Sequence, residues 1–202
     1  MYLVETLKRT IEQVTGRGRP SSAQVRSRVI RRRPKTFLFR DDGKIPNNPA
    51  LPFVLYRRAV RVDTAADPAA VFEQLFAING WGDAWRDGIY DYVHYHSHIH
   101  EVLGIARGRA RVQFGGPKGE EIDVAAGDAA ILPAGTGHQC LMTSEDFLVV
   151  GAYPPAGRYD ECRGSAEEHR RATESIPHIP LPEKDPVYGA KGPLLSLWRR
   201  HD

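Results

Sequence analysis

Histidine is unevenly spread along this chain. Of its eight histidines, five fall in two places: His94, His96, His98 and His100 lie close together, and His138 lies further on. Side chains at every second position leave the same face of an extended strand, so His94 and His96 can aim both imidazoles at one point. After a break at 97–99, Glu101 opens what reads as the next strand. His138 follows a strand and a Gly-rich turn at 133–137. Three imidazoles and a carboxylate form a borderline donor set suited to one divalent transition metal ion: Fe, Mn, Ni, Cu or Zn. An open position on such an ion, inside a dry cavity, supports oxygenase, isomerase or lyase chemistry. A slip of two residues, with His96 and His98 as the pair, is the competing register.

The neighbours of these residues divide by position. His98 reads as a loop residue, because the break interrupts strand alternation. His100 is expected either to orient Glu101 from behind or to act as an alternative ligand. Tyr92, two residues before His94 and on the same face, is expected to line the cavity. Cys140, two residues after His138, is expected as a small buried side chain. Trp81 and Trp85 are expected to pack, with the cavity mouth near 81–92.

These residues need a frame of short strands. Segments 36–40 and 52–62 are rich in strand-forming residues and flank a turn at Asp41-Asp42-Gly43. Asp67-Pro68 is a helix start, with Asp67 as N-cap, and the helix should run to about Ile78 with Val71, Leu75 and Ile78 buried and Gly80 closing it. From Gly88 onward, short strands are expected at 100–107, 109–114, 121–124, 129–132, 138–142 and 146–153. Ala110, Val112 and Phe114 alternate with Arg109, Arg111 and Gln113, which gives that strand one inward face. Strands at this spacing predict an all-β sandwich or barrel rather than a βαβ fold. A short polar helix near 166–172 and a Pro-rich extended tail over 176–186 complete the pattern.

Composition bounds the rest. The 202 residues are 41% apolar and 26% charged, which suits one well-buried domain. No apolar run approaches the ~18 residues of a membrane span, and the first 35 residues are basic rather than apolar, unlike a secretory leader. Two cysteines, Cys140 and Cys162, with no CxxC, fit reduced thiols. A soluble cytoplasmic protein is the expectation. Residues 1–35 carry ten Lys or Arg against Glu5 and Glu12, so this arm has net +8 and the remainder net −5 within a total of +3. A helix over 2–14 is expected from Leu3, Val4, Leu7, Ile11 and Val14. The arm up to about Arg33 is expected to be partly helical or flexible and to make few contacts with the body. No aromatic residue interleaves its arginines and no DNA-binding helix pair is evident, so nucleic acid is disfavoured as a partner.

The spacings resemble those of the cupin superfamily, the RmlC-like jelly rolls. The first cupin motif, G-x5-H-x-H-x4-E-x6-G, is matched by Gly88, His94, His96, Glu101 and Gly108. The second, G-x5-P-x-G-x2-H-x3-N, is matched by Gly127, Pro133, Gly135 and His138, with Met142 in place of the final Asn. Ile45-Pro46-Asn47-Asn48-Pro49, the runs around His94 and His100, and Asp185-Pro186-Val187-Tyr188-Gly189 resemble the small bacterial YjlB-like cupins over about 36–198. The resemblance implies a jelly-roll β-barrel over 36–155, with one helix before the barrel and a C-terminal extension, 156–202, packing on it. It also implies metal ligation by His94, His96, Glu101 and His138 and implicates His100 beside them; Tyr92 joins His100 as a candidate behind the ligands only through its place two residues before His94. A homodimer and a small-molecule ligand are implied too. Two functions stay open: a metal-dependent enzyme of the oxygenase or isomerase type, and a non-catalytic small-molecule or metal-binding module such as a sensor.

Overall fold

The structure, a computed structural model, describes residues 19–62 and 67–199. The expected helix over 2–14 lies outside the described residues. In chain order the elements are α1 (Ser22–Arg26), β1 (Lys35–Phe37), β2 (Phe53–Tyr56), α2 (Pro68–Ile78), β3 (Gly82–Asp87), β4 (Glu101–Arg107), β5 (Arg109–Phe114), β6 (Glu120–Ala125), β7 (Ala129–Leu132), β8 (His138–Thr143), β9 (Leu148–Tyr153), α3 (Ala166–Ser175), a 3-10 turn (Ile176–His178) and α4 (Leu194–Leu197).

The strands form a jelly roll of two antiparallel sheets. One has six strands in the order β1-β2-β7-β4-β9-β3, and the other has three in the order β6-β5-β8. Among the described residues no ladder joins the two sheets, so the roll is open at its sides. Strand alternation divides the six-stranded sheet into two faces. Phe53, Leu55, Leu103, Ile105, Ala130, Leu132 and Val149 face the smaller sheet and pack on Val112, Phe114 and Val124. Val54, Tyr56, Val102, Ile131, Val150 and Ala152 face the other way, under α2 and the C-terminal segment. Because both faces are covered, β2, β4, β7 and most of β9 are buried.

Helix α2 forms where its local signals place it. The Asp67 side chain accepts the Ala69 amide N–H, Pro68 takes the first turn, and Gly80 at φ 82° follows the end. Its Phe72 ring lies against Gly104 of β4, where a Cβ would collide with that ring. The helix can approach the sheet closely only over a residue without a side chain.

Three expectations change here. The strand expected over 52–62 stops at Tyr56, because Arg58 turns the chain at φ 47°. Buried Asp128 holds that turn, accepting Arg58 N–H at 2.8 Å and pairing with the Arg57 guanidinium at 2.9 Å. Strand β3, Gly-Asp-Ala-Trp-Arg-Asp, was not expected, since Trp85 is its single strand-forming residue. Pairing with β9 imposes its conformation.

The described part of the basic arm, from Arg19 onward, is docked, contrary to the expectation of few contacts. Helix α1 is closed by a Ser21–Gln24 capping box, and its Val25 is fully buried in the core with Val29 packed beside it. Backbone bonds run from Ile30 N–H to Ala59 O and from Arg61 N–H to Arg28 O, and the Tyr188 hydroxyl donates to Ile30 O. Net charge misled because two valines four apart suffice to anchor a short segment while the arginines face outward. A chain starting at Lys35 is therefore expected to melt about 5–10 °C below one starting at Arg19, from the lost valine burial. Differential scanning calorimetry reads this, and equal melting temperatures would show that the segment contributes nothing.

Candidate metal centre

His94 and His96 lie on an extended stretch held at several points by backbone pairing. His94 and His138 exchange both backbone bonds, at 3.2 and 2.9 Å, and Tyr95 does the same with Cys162, at 3.0 and 2.9 Å. Alternation therefore sends His94 and His96 to one side, while Tyr95 packs on the other with Ile45, Ala134 and Ile176. The turn before His138 is tied to the same stretch, since Gly135 N–H donates to His96 O at 2.7 Å. Gly135 has φ 93°, and a Cβ there would meet Ile176 and the Asn47 carbonyl, so both conformation and space require glycine. Glu101 is the first residue of β4 and projects from the inner face beside Leu103.

The structure brings together His94, His96 and His138, each with a ligand nitrogen within 4.8 Å of the others, and all three are buried. Glu101 Oε2 lies 3.5 Å from His96 Nε2 and 3.5 Å from His138 Nε2, against these two imidazoles and outside the sphere uniting all three. Each Nδ1 faces a backbone carbonyl: Tyr92 O at 3.2 Å for His94, Asp160 O for His96 and Thr136 O at 3.2 Å for His138. A carbonyl can only accept, so each Nδ1 carries the proton and Nε2 is left as the group that can bind a cation.

Without a cation, the electrostatics set His96 apart from the other two imidazoles: it holds a second proton that a bound cation would displace. Burial pushes His94 down, and burial, followed by the repulsion between the His138 and His94 imidazoles when both are charged, pushes His138 down to about 3, so both stay neutral. Burial opposes charge on His96, but the neighbouring Glu101 carboxylate outweighs it and raises His96 to about 9. Burial likewise opposes ionisation of Glu101, and the three imidazoles, His96 foremost, overcome it and hold the carboxyl below its ordinary value. Glu101 Oε2 is buried without a hydrogen-bond partner. An anionic oxygen of this kind beside three imidazoles fits a divalent first-row ion.

Beside these residues opens a cavity of about 480 Å3, walled by Trp85, Tyr90, Ile99, Leu103, Tyr153 and Tyr159. Tyr159 lies tilted against His96 at 4.9 Å and is half exposed, and Tyr90 stands edge-on to His94 at 5.2 Å. Among the described residues the wall carries one Lys or Arg side chain, Arg86, and it is bound bidentately by Glu73 at 2.6 and 2.8 Å and also by Asp67 at 2.5 Å.

The remaining expected residues lie around this centre. His98 is outside it, half exposed, with Nδ1 3.1 Å from Asp160 and 2.7 Å from the Ser97 hydroxyl. His100 is fully buried, but its Nδ1 accepts the Ala134 N–H at 2.9 Å and its ring packs on Trp198, so it supports the turn leading to His138. Tyr92 does not line the cavity. Its ring stacks on Tyr90, lies 3.8 Å under the Arg163 guanidinium and meets the His94 ring edge-on at 5.6 Å, and its carbonyl faces His94 Nδ1. A bend at 91–92 breaks the alternation that was assumed there. Cys140 is buried in the core, and so is Trp81, which donates to Lys184 O. Trp85 instead lines the cavity. Sequence reasoning missed Tyr90, Tyr153, Tyr159 and Asp160; only the place of Tyr153 at the end of a strand was a usable signal.

Residues 87–150 match the Cupin domain family model. The uncharacterized protein YjlB of Bacillus subtilis (strain 168) is 41% identical over 169 residues, covering 84% of this chain and 99% of YjlB. Among solved structures, a cupin 2 domain-containing protein from Halorhodospira halophila matches 74% of this chain and 83% of its own, at 15% identity and TM-score 0.32. The acireductone dioxygenase from Bacillus anthracis with cadmium ion in its active center matches 44% of this chain at 15% identity and TM-score 0.31. This chain spans 62% of that dioxygenase, less than two thirds.

Proposed function

The chain belongs to the cupin superfamily, in the family of Bacillus subtilis YjlB, and on that basis we propose that it is a metal-dependent protein acting on a small molecule. His94, His96, Glu101 and His138 would hold one divalent ion, and the adjoining cavity would take the ligand. The observation that carries this reading is the convergence of three buried imidazoles whose Nδ1 atoms are all committed to carbonyls, beside a carboxylate oxygen with no partner. Bound there, such an ion supplies Lewis-acid or redox chemistry of the oxygenase or isomerase kind. The chain's own walls do the rest. Trp85, Tyr90 and Tyr159 offer flat aromatic surfaces, and Ile99 and Leu103 exclude water. With Arg86 already neutralised, the wall has no clamp for a polyanion, which favours a small, weakly charged ligand.

The test is metal analysis of protein purified without a polyhistidine tag, with roughly one equivalent of a first-row divalent ion expected per chain. No metal as isolated, and none taken up on titration, would refute the reading. Turnover in aerobic and anaerobic small-molecule screens separates an enzyme from a binding module or sensor. The homodimer and the cytoplasmic location belong to the same proposal, and sedimentation reads the former. Among the described residues no helix is long and apolar enough to cross a membrane.

A further inference from the structure

Glu101 stands one step beyond the Val102–Ala152 pair in the β4–β9 register, so the residue opposite it is Tyr153. Both face the cavity, and opposed residues on antiparallel strands carry Cβ atoms about 4.5–5.5 Å apart. On the next strand outward, Trp85 pairs with Gly151. Its indole lies across that glycine, where a Cβ would collide with the ring, and its Nε1–H donates to the Tyr153 hydroxyl at 2.9 Å. The Tyr153 ring is held edge-on by His96 at 6.1 Å and by Tyr159 at 5.7 Å. Since the phenol oxygen accepts from Trp85, its own proton is left for another acceptor. A phenol keeps its proton at neutral pH, so it remains a donor. Glu101, for its part, has one buried oxygen without a partner and sits to one side of the three imidazoles.

We propose that Tyr153 is the positioning residue of the Glu101 carboxylate: carried by Trp85 across Gly151, its hydroxyl donates to one Glu101 oxygen and leaves the other for the cation. The chain Trp85–Tyr153–Glu101 then fixes the only anionic member of the donor set, in the way that partners behind metal ligands fix orientation. This rests on the metal reading above. It adds two aromatic residues and a glycine to the determinants of that site.

Titration of chelator-stripped protein with Co(II), followed by its visible d–d bands, is the test. Tyr153→Phe keeps the ring and removes the donor. It is expected to weaken Co(II) binding roughly 10–100-fold and to move the bands, while the metal-free protein stays folded and melts only a few degrees lower, because Trp85 Nε1–H loses its acceptor. Trp85→Phe should act in the same direction and more weakly, because the phenol keeps its own proton. In a Glu101→Ala background, Tyr153→Phe should cost nothing further. Wild-type affinity and spectrum in Tyr153→Phe, or an undiminished loss in the Glu101→Ala background, would overturn the proposal while leaving the metal site standing. A wild-type protein that binds no Co(II) would remove both.

Discussion

His138→Ala is expected to reduce bound divalent metal from roughly one equivalent per chain to below about a tenth, with the barrel still folded. Three imidazoles converge within 4.8 Å, and His138 also lies 3.5 Å from Glu101, so its loss opens one side of the site. The fold should survive, because the bonds joining His138 to His94 are between backbone atoms and remain in the variant. The discarded side chain is neutral and accepts no hydrogen bond on which another buried group depends. His98→Ala is the matched control. That imidazole is half exposed and bound to Asp160 and Ser97, so its removal should leave metal content within about 20% of wild type, as expected for a surface change. Elemental analysis of His98→Ala beside His94→Ala decides between the two registers. Metal lost in His98→Ala and kept in His94→Ala would show that the ligand pair is His96 and His98.

Asp185→Ala is expected to lower stability by about 3–4 kcal/mol, or roughly 8–12 °C in melting temperature. Asp185 is fully buried and accepts from the Tyr56 hydroxyl at 2.6 Å, Val187 N–H at 2.8 Å, Tyr188 N–H at 3.0 Å and Leu194 N–H at 3.2 Å. One carboxylate thus ties the C-terminal segment to β2 and organises the turn that delivers Leu194 and Trp198 to the core. Alanine leaves three amides and a phenol without their acceptor, and a buried donor left unpaired costs more than the bond contributed. Asp185→Asn keeps one oxygen for Val187 and Tyr188 and turns an N–H toward Leu194, so about half of the loss is expected. Chemical denaturation of the three proteins measures this series. A loss below 1 kcal/mol in Asp185→Ala, judged against the ~1 kcal/mol typical of point variants, would mean that the tail is held by packing alone.

Much of this molecule was legible before folding, for local reasons. Asp67, Pro68 and Gly80 bound α2 because caps and breakers act within a few residues of chain. The alternation of β5 set its faces, and the spacing of His94, His96, Glu101 and His138 matched a family whose turns deliver those positions to one point. Met142, where the second motif ends differently, is exposed, so the departure leaves the centre untouched. Tertiary structure alone decided what depends on partners far away in sequence. Gly82–Asp87 is a strand because β9 offers an edge, and residues 19–35 dock because Val25 finds a core built from α2 and the sheet. Tyr90 rather than Tyr92 faces the cavity because of one bend. Tyr153 stands against Glu101 only through the register of two strands some fifty residues apart. Local propensity acts over a turn or a cap, whereas the neighbours across a sheet are set by which strands meet and in what register, and no short window of sequence contains both.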